Sequence, residues 1–325
     1  MTAAAVAEYG ADIRVIGVGG AGGNAVQRML ATSVPGIAFA VVNTDQQALA
    51  TAAAAQRCLI GTALTGGLGA GGDPAVGEGA AEASERELRA QVAGADLVFV
   101  AAGMGGGTGS GAAPLVARYA KEAGALTIAV VTRPFAFEGA RRQRVAAAGI
   151  ARLVERADAC IIIPNERLLT VAERRLSVPA AFALADEVLR QGIQGIADII
   201  MVPGLINVDF ADVKAVMQDA AGTALLAIGS GTGPTRATDA VRQALASPLL
   251  DFSLAGARGV LLNVTGGADL TLFEVTAAAE LVHAAVDPAA NIILGAVPNG
   301  RDDGVVTITV IATGFRAPAG AASPV

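Results

Sequence analysis

Through the first half of the chain, short β-branched and aliphatic runs alternate with stretches whose apolar positions recur at helical spacing. Ile13–Val18, Phe39–Val42, Leu97–Ala101, Leu126–Thr132 and Ala159–Ile163 have strand length. Between them Asn24–Leu30, Val76–Val92, Ala112–Ala123 and Ala140–Glu155 read as helices. Strands alternating with helices predict βαβ units and a parallel sheet covered on both faces, an α/β fold. A pattern apolar nearly all round, from about Val178 to Ile200, predicts a long buried helix that ends before Pro203–Gly204. Beyond it lie strands at Leu225–Ile228, Gly259–Val264, Asn291–Val297 and Val305–Ala312. Helices at Asp212–Met217, Thr235–Ala246 and Leu272–His283 accompany them, so the second half predicts a smaller α+β domain.

Composition narrows this picture. The 325 residues are 53% hydrophobic, mostly through Ala and Gly, and only 3% aromatic. That suits close helix–sheet packing and glycine-rich ligand loops, at a length that predicts two domains. A net charge of -6 argues against a nucleic-acid-binding face, which needs clustered basic residues. It leaves room for a local anion site, because backbone N–H groups hold phosphates without net positive charge. Cys58 and Cys160 are far apart and His283 stands alone, so a disulfide scaffold, a zinc site and Cys–His or Ser–His chemistry are not expected. Met1–Asp12 carries acids rather than a basic-then-apolar leader, and no apolar run reaches the roughly 18–20 residues of a membrane span. A soluble, cytoplasmic protein without direct membrane insertion is expected.

Two glycine-rich loops carry the chemistry. Val15–Asn24 runs from a strand through glycines into a helix and satisfies G-x-G-x-x-G at Gly17, Gly19 and Gly22, with Asp45 about twenty residues on. Alone it reads as a dinucleotide-binding turn, a weak signal beside the plainer reading of a tight turn with no ligand. The second loop, Gly103–Gly111, has six glycines in nine residues and again lies between a strand and a helix. It admits close backbone approach, and Thr108 and Ser110 add hydroxyls for phosphate or a magnesium-bound water. No G-x-x-x-x-G-K-[ST] is present. Two such loops at one sheet edge suggest a nucleoside di- or triphosphate.

Gly105–Gly111, Gly-Gly-Gly-Thr-Gly-Ser-Gly, resembles the signature of the tubulin/FtsZ family. So do Val42–Asp45, Gly67–Gly72, Phe137–Gly139, Pro164–Asn165, Gly204–Val213 and Ile311–Phe315. The resemblance runs from about Ile13 to Phe315 and is closer to the FtsZ branch than to tubulin. It implies the tubulin/FtsZ fold, with an N-terminal extension at 1–12 and a Rossmann-like GTP-binding domain at 13–177. A central helix at 178–202 and an α+β activating domain at 203–315 would follow. The Ala-, Pro-, Gly- and Ser-rich 316–325 would be a disordered tail or linker stub.

The resemblance also implies roles. Gly20, Ala21, Gly22, Gly23 and Asn24 would hold phosphates, together with Gly103, Gly105, Gly106, Gly107, Thr108 and Gly109. Gly69, Ala70 and Gly71 would sense the γ-phosphate. Glu138 would meet the ribose, Arg142 the ribose and phosphates, and Asn165 the sugar or base. Phe182 would lie on the guanine plane and Asp186 would read its edge. At i, i+4 the last two share a helix face, and one carboxylate accepts both the N1–H and N2–H₂ donors of guanine, a pair adenine lacks. Asn207, Asp209 and Asp212 would project into a neighbour's site and orient the attacking water; the plainer reading is an N-cap at Asp209.

The expected ligands are GTP and GDP with Mg²⁺ held mainly by the phosphates and no protein metal site, with K⁺ as an optional companion. The expected partners are copies of the chain stacked head to tail and proteins of the bacterial division machinery at mid-cell. Tail-recognising membrane tethers are not expected to bind the chain as given. Ala21 stands where the family usually has Gly, Asp73 where it has Asn, Ala75 where it has Glu, Ser110 where it more often has Thr, and Glu166 where it has Asp. Two other readings stay open at this point. One is an assembling nucleotide binder with little turnover. The other is an NAD(P) oxidoreductase resting on Gly17, Gly19 and Gly22.

Overall fold

The computed structural model describes residues 11–32, 36–54, 56–170, 176–218, 222–249, 254–298, 300 and 303–315. The expected tail at 316–325 and all but the last two residues of the expected N-terminal extension lie outside them. The chain divides between Val202 and Pro203 into two compact units.

The first unit runs β1 (Ile13–Val18), α1 (Gly19–Ala31), β2 (Ile37–Asn43), α2 (Gln46–Ala50), β3 (Gln56–Leu59) and α3 (Thr62–Thr65). It continues with α4 (Pro74–Ala83), α5 (Glu85–Val92), β4 (Leu97–Gly103), α6 (Gly107–Glu122) and β5 (Leu126–Arg133). A 3-10 turn (Ala136–Glu138) leads to α7 (Ala140–Arg156), β6 (Ala159–Pro164), α8 (Asn165–Leu168) and α9 (Val178–Met201). The strands pair in parallel in the order β3-β2-β1-β4-β5-β6. Their near-continuous apolar text suits burial on both faces. On one face Ile16, Val18, Val98 and Val100 form a core with Ala81, Leu88, Leu115, Val116 and Tyr119 of α4 to α6. On the other, α1 packs on β1, β2 and β4, and α9 packs on α1, β5 and β6. The helix expected over Val76–Val92 is two helices. Ser84 breaks it at φ -116, ψ 27, and its Oγ accepts the Gly61 N–H at 3.0 Å.

The second unit runs α10 (Phe210–Gln218), β7 (Gly222–Gly231), α11 (Arg236–Leu245), β8 (Gly259–Gly266), α12 (Leu272–Ala285), β9 (Asn291–Pro298) and β10 (Val306–Thr313). Its sheet is mixed, in the order β7-β10-β8-β9: β10 is antiparallel to β7 and β8, and β8 is parallel to β9. Ala237, Ala240, Val241 and Ala244 of α11 and Val275, Ala278 and Val282 of α12 cover Val260, Leu262, Ile308 and Val310. Arg236 is buried at the head of α11, where its guanidinium meets Asp269 Oδ2 and Glu274 Oε1, each at 2.7 Å. Glu274 also closes a capping box with Thr271. The guanidinium holds the Glu274 carboxyl down at about 2.

Candidate functional site

In the first unit the chain winds from β1 outward to β3, and from β4 outward in the other direction to β6. The reversal lies between β1 and β4, so the crevice beyond their carboxyl ends is the expected ligand position. Both glycine loops open there. The first is itself the opening turn of α1, which begins at Gly19, five residues before the sequence pattern indicated. Val18, at its N-cap, has no side chain able to cap. Gly106 occupies the same place before α6. Two helices therefore present uncapped first-turn N–H groups at one crevice, the arrangement that attracts phosphates.

Gly20, Ala21, Gly22, Gly23 and Asn24 all lie in the first two turns of α1, and Gly107, Thr108 and Gly109 in the first turn of α6, after Gly103, Gly105 and Gly106. The two turns touch. A Cβ built on Gly19 would sit 3.2 Å from Gly109 N, and one on Gly22 would sit 2.2 Å from Ala101 O. Gly22 thus lets α1 close on β4. A Cβ on Gly20 or Gly106 would meet nothing within 4 Å, so these two face open space. The Ala21 methyl lies toward Gly103, whose own Cβ would fall 2.6 Å from it.

The loop before α4 joins this cradle. Gly69 N–H donates to Thr44 O at 3.1 Å and Gln46 N–H to Gly67 O at 2.9 Å. Thr44 Oγ1 and Thr108 Oγ1 share a hydrogen bond at 2.7 Å, a link the sequence did not reveal. Gly69 and Gly71 have φ 90 and 58, which a side chain rarely adopts. Ala70 lies against Gly107. Two acids flank the cradle, and both are engaged as helix caps. Asp45 Oδ1 accepts from Gln47 N–H and Ala48 N–H at the head of α2, and Asp73 Oδ1 accepts from Ala75 N–H at the head of α4. Asp45, the acid that a dinucleotide fold turns to a ribose, is occupied elsewhere.

The ribose and base candidates line up along β5, β6 and α9. Glu138 accepts the Phe135 N–H at 2.8 Å and pairs with Arg142, one helical turn on, which is more than half exposed. Glu166 Oε2 accepts the Ala136 N–H at 2.8 Å, so this acid braces the same segment. Asn165 is buried, and among the described residues its Oδ1 has no hydrogen-bond partner. Phe182 is exposed, edge-on to Phe135 at 5.4 Å and to Phe137 at 6.2 Å. Asp186 is buried one turn along α9, and burial pushes its carboxyl up to about 6 against the pull of Arg28. Arg28 Nε stands 3.7 Å from Asp186 Oδ2. Sequence reading gave Arg28 no role. Its only signal was its place one turn beyond Asn24 on the helix that carries the first loop.

Asn207, Asp209 and Asp212 belong to the second unit. Their loop is pinned by its backbone: Leu205 N–H donates to Ala296 O at 2.7 Å, and Ile206 and Ala296 form a bridge. Asn207 is part of that frame, since its Oδ1 accepts the Gly204 N–H at 2.7 Å. Asp209 occupies the N-cap position of α10, and its carbonyl accepts from Asp212 and Val213. Both carboxylates are exposed, and among the described residues neither has an ion pair or side-chain hydrogen bond. The cap expected of the Asp209 side chain is not made. Cys58 and Cys160 are buried, with burial pushing their thiols up to about 11 and about 12, far from any nucleophilic use.

Two family models match the chain. The GTPase domain of the tubulin/FtsZ family covers residues 12–173, and the C-terminal domain of the FtsZ family covers residues 222–316. A structure titled as an empty FtsZ dimer of M. jannaschii is 43% identical over 96% of this chain and 90% of that one, with a TM-score of 0.92. A point mutant of the same FtsZ matches at 43% identity, 96% and 93% coverage, and a TM-score of 0.92. CetZ2 from Haloferax volcanii, a GTPγS-bound protofilament, shares the fold at 24% identity, 94% and 93% coverage, and a TM-score of 0.78. A cradle of uncapped helix N-termini, matched family models on both units and 43% identity across nearly the whole chain agree: the chain belongs to the FtsZ family and is a GTPase of that family.

Proposed function

We propose that this GTPase polymerises head to tail, and that GTP is hydrolysed where the acids of one subunit meet the nucleotide of the next. Residues 13–177 bind the nucleotide, 178–202 form the central helix and 203–315 supply the acids in trans. The observation that carries the reading is a separation of parts. The cradle of the first unit has its two flanking acids, Asp45 and Asp73, engaged as helix caps, whereas Asp209 and Asp212 stand exposed without partners among the described residues. Phosphoryl transfer needs a positioned water and stabilised charge more than covalent help. The α1 and α6 N-termini take the phosphates, Gly69–Gly71 the γ-phosphate, Glu138 and Arg142 the ribose. Asn165, Phe182 and Asp186 take the guanine end, where a buried carboxylate and an unpartnered amide oxygen suit the donors of that base.

Magnesium fits as a passenger on the nucleotide, where it would neutralise the β- and γ-phosphates. The phosphates would carry it; among the described residues no group of three or more His, Cys, Asp or Glu is placed to hold an ion. Potassium is an optional companion. Self-association is suggested by the dimer of the M. jannaschii relative. A cytoplasmic division ring at mid-cell, with division proteins and regulators as partners, completes the reading. Among the described residues no helix is long and apolar enough to cross a membrane.

The test is phosphate release from GTP with magnesium across a protein dilution series, with ATP as control. A concentration threshold and a preference for GTP are expected. Activity strictly proportional to protein down to the lowest dilution would sink hydrolysis in trans.

A further inference from the structure

Pro114 lies inside α6 and has no N–H to give to the carbonyl four residues before it, which is Ser110 O. That carbonyl belongs to the first turn of α6, directly behind the phosphate loop, and Ser110 is fully buried. Its hydroxyl already accepts the Gly105 N–H at 2.8 Å and shapes the loop. The missing donor comes from another helix. Arg152 of α7 gives one guanidinium amine to Ser110 O at 3.1 Å and the other to Glu78 Oε2 of α4. Both charged side chains are about two-thirds buried, at 31% and 29% exposure.

One planar guanidinium therefore ties three helices, and each leads into a different part of the nucleotide site. α4 follows the Gly66–Gly72 loop, α6 carries Gly107–Gly109, and α7 begins beside Glu138 and Arg142. Glycines let α4 and α6 meet by backbone. A Cβ on Gly77 would lie 2.2 Å from Gly107 O, and one on Gly111 2.2 Å from Pro74 O. Such a contact fixes distance but leaves sliding free, and a fork with two directed hydrogen bonds removes that freedom.

We propose that Arg152 is a positioning residue for GTP: by filling the carbonyl that Pro114 leaves open while holding Glu78, it sets the triphosphate-sensing loop against the phosphate cradle. This rests on the reading of Gly69–Gly71 as the γ-phosphate contact, so the effect falls on the triphosphate rather than on nucleotide binding in general.

The experiment measures binding of a non-hydrolysable GTP analogue and of GDP, with magnesium, below any assembly threshold. In Arg152→Ala the analogue should bind ~5-fold more weakly, as expected for a part-buried ion pair, and GDP less than twofold more weakly. Arg152→Lys, which keeps the charge but has no fork, should fall between. Pro114→Ala restores an N–H to Ser110 O, so Arg152→Ala should cost less in that background, a coupling that a merely structural surface pair would not show. Equal losses for both nucleotides, or no change in their ratio, would overturn the proposal. Gly71→Val separates the two layers: if it shifts the ratio while the Arg152 variants do not, the loop reading stands and Arg152 is dismissed. If neither shifts it, both go.

Discussion

The phosphate cradle and the acidic loop are built in opposite ways. The cradle is backbone. It presents N–H groups at two helix starts, brought together by glycines pressed against carbonyls, as Gly22 is against Ala101 O. The acidic loop is side chain. Its backbone is pinned on Ala296 and by Asn207, and Asp209 and Asp212 then stand in solvent with nothing holding their carboxylates among the described residues. A site made of backbone fails when volume is added. A site made of exposed carboxylates tolerates volume and fails when charge is lost. Within the group Asn207, Asp209 and Asp212, the same contrast separates a residue that shapes the loop from two that leave their charge available.

The sharpest way to break this comparison is Asp212→Ala. Turnover per subunit should fall ~10²–10³-fold, about 3–4 kcal/mol of transition-state stabilisation, with GTP affinity and the melting temperature unchanged. Loss of GTP affinity in a binding titration would mean the loop is not a part reserved for chemistry. Gly22→Ala is the counterpart. Its methyl would stand 2.2 Å from Ala101 O, so about 3 kcal/mol of stability should go, and nucleotide binding with it, read by thermal denaturation with and without GTP.

Smaller effects sharpen the contrast. Glu274→Gln removes an ionised partner of the buried Arg236 in the second unit and should cost about 2 kcal/mol in denaturant unfolding. Because the folded carboxyl is held at about 2, its stabilisation is complete above the unfolded value of 4.5 and is lost as pH falls from there toward 2. Asp186 behaves oppositely. Its carboxyl is raised from 3.8 to about 6, so burial costs stability above pH 6, and that cost fades as pH falls from 6 to 3.8. In the proposed role Asp186 accepts from guanine in its ionised form, so GTP affinity should drop ~10-fold between pH 7 and pH 5. Asp186→Asn should bind weakly with no such step. The smallest effect belongs to Ala21→Gly. Its methyl lies toward Gly103, so restoring the family's glycine should change GTP affinity less than threefold by titration.

By itself the sequence determined most of the longer elements, the succession of a parallel α/β unit and a smaller mixed one, the two glycine-rich loops between strand and helix, and the family. These rest on local regularities, namely hydrophobic period, glycine spacing and short motifs, which the chain displays without being folded. Only the tertiary structure decided which groups are committed. Asp45, spaced like the ribose acid of a dinucleotide fold, and Asp73, just after the Gly67–Gly72 loop, are helix caps. Ser84 lies midway along one continuous helical pattern, yet two helices meet there, and its hydroxyl accepts the Gly61 N–H. Arg28 beside Asp186, Thr44 on Thr108, and Arg152 on the carbonyl left by Pro114 join residues 42 to 158 positions apart. No periodicity encodes such partners. They follow from sheet register and helix packing, which bring distant side chains within hydrogen-bond reach only once the core has closed.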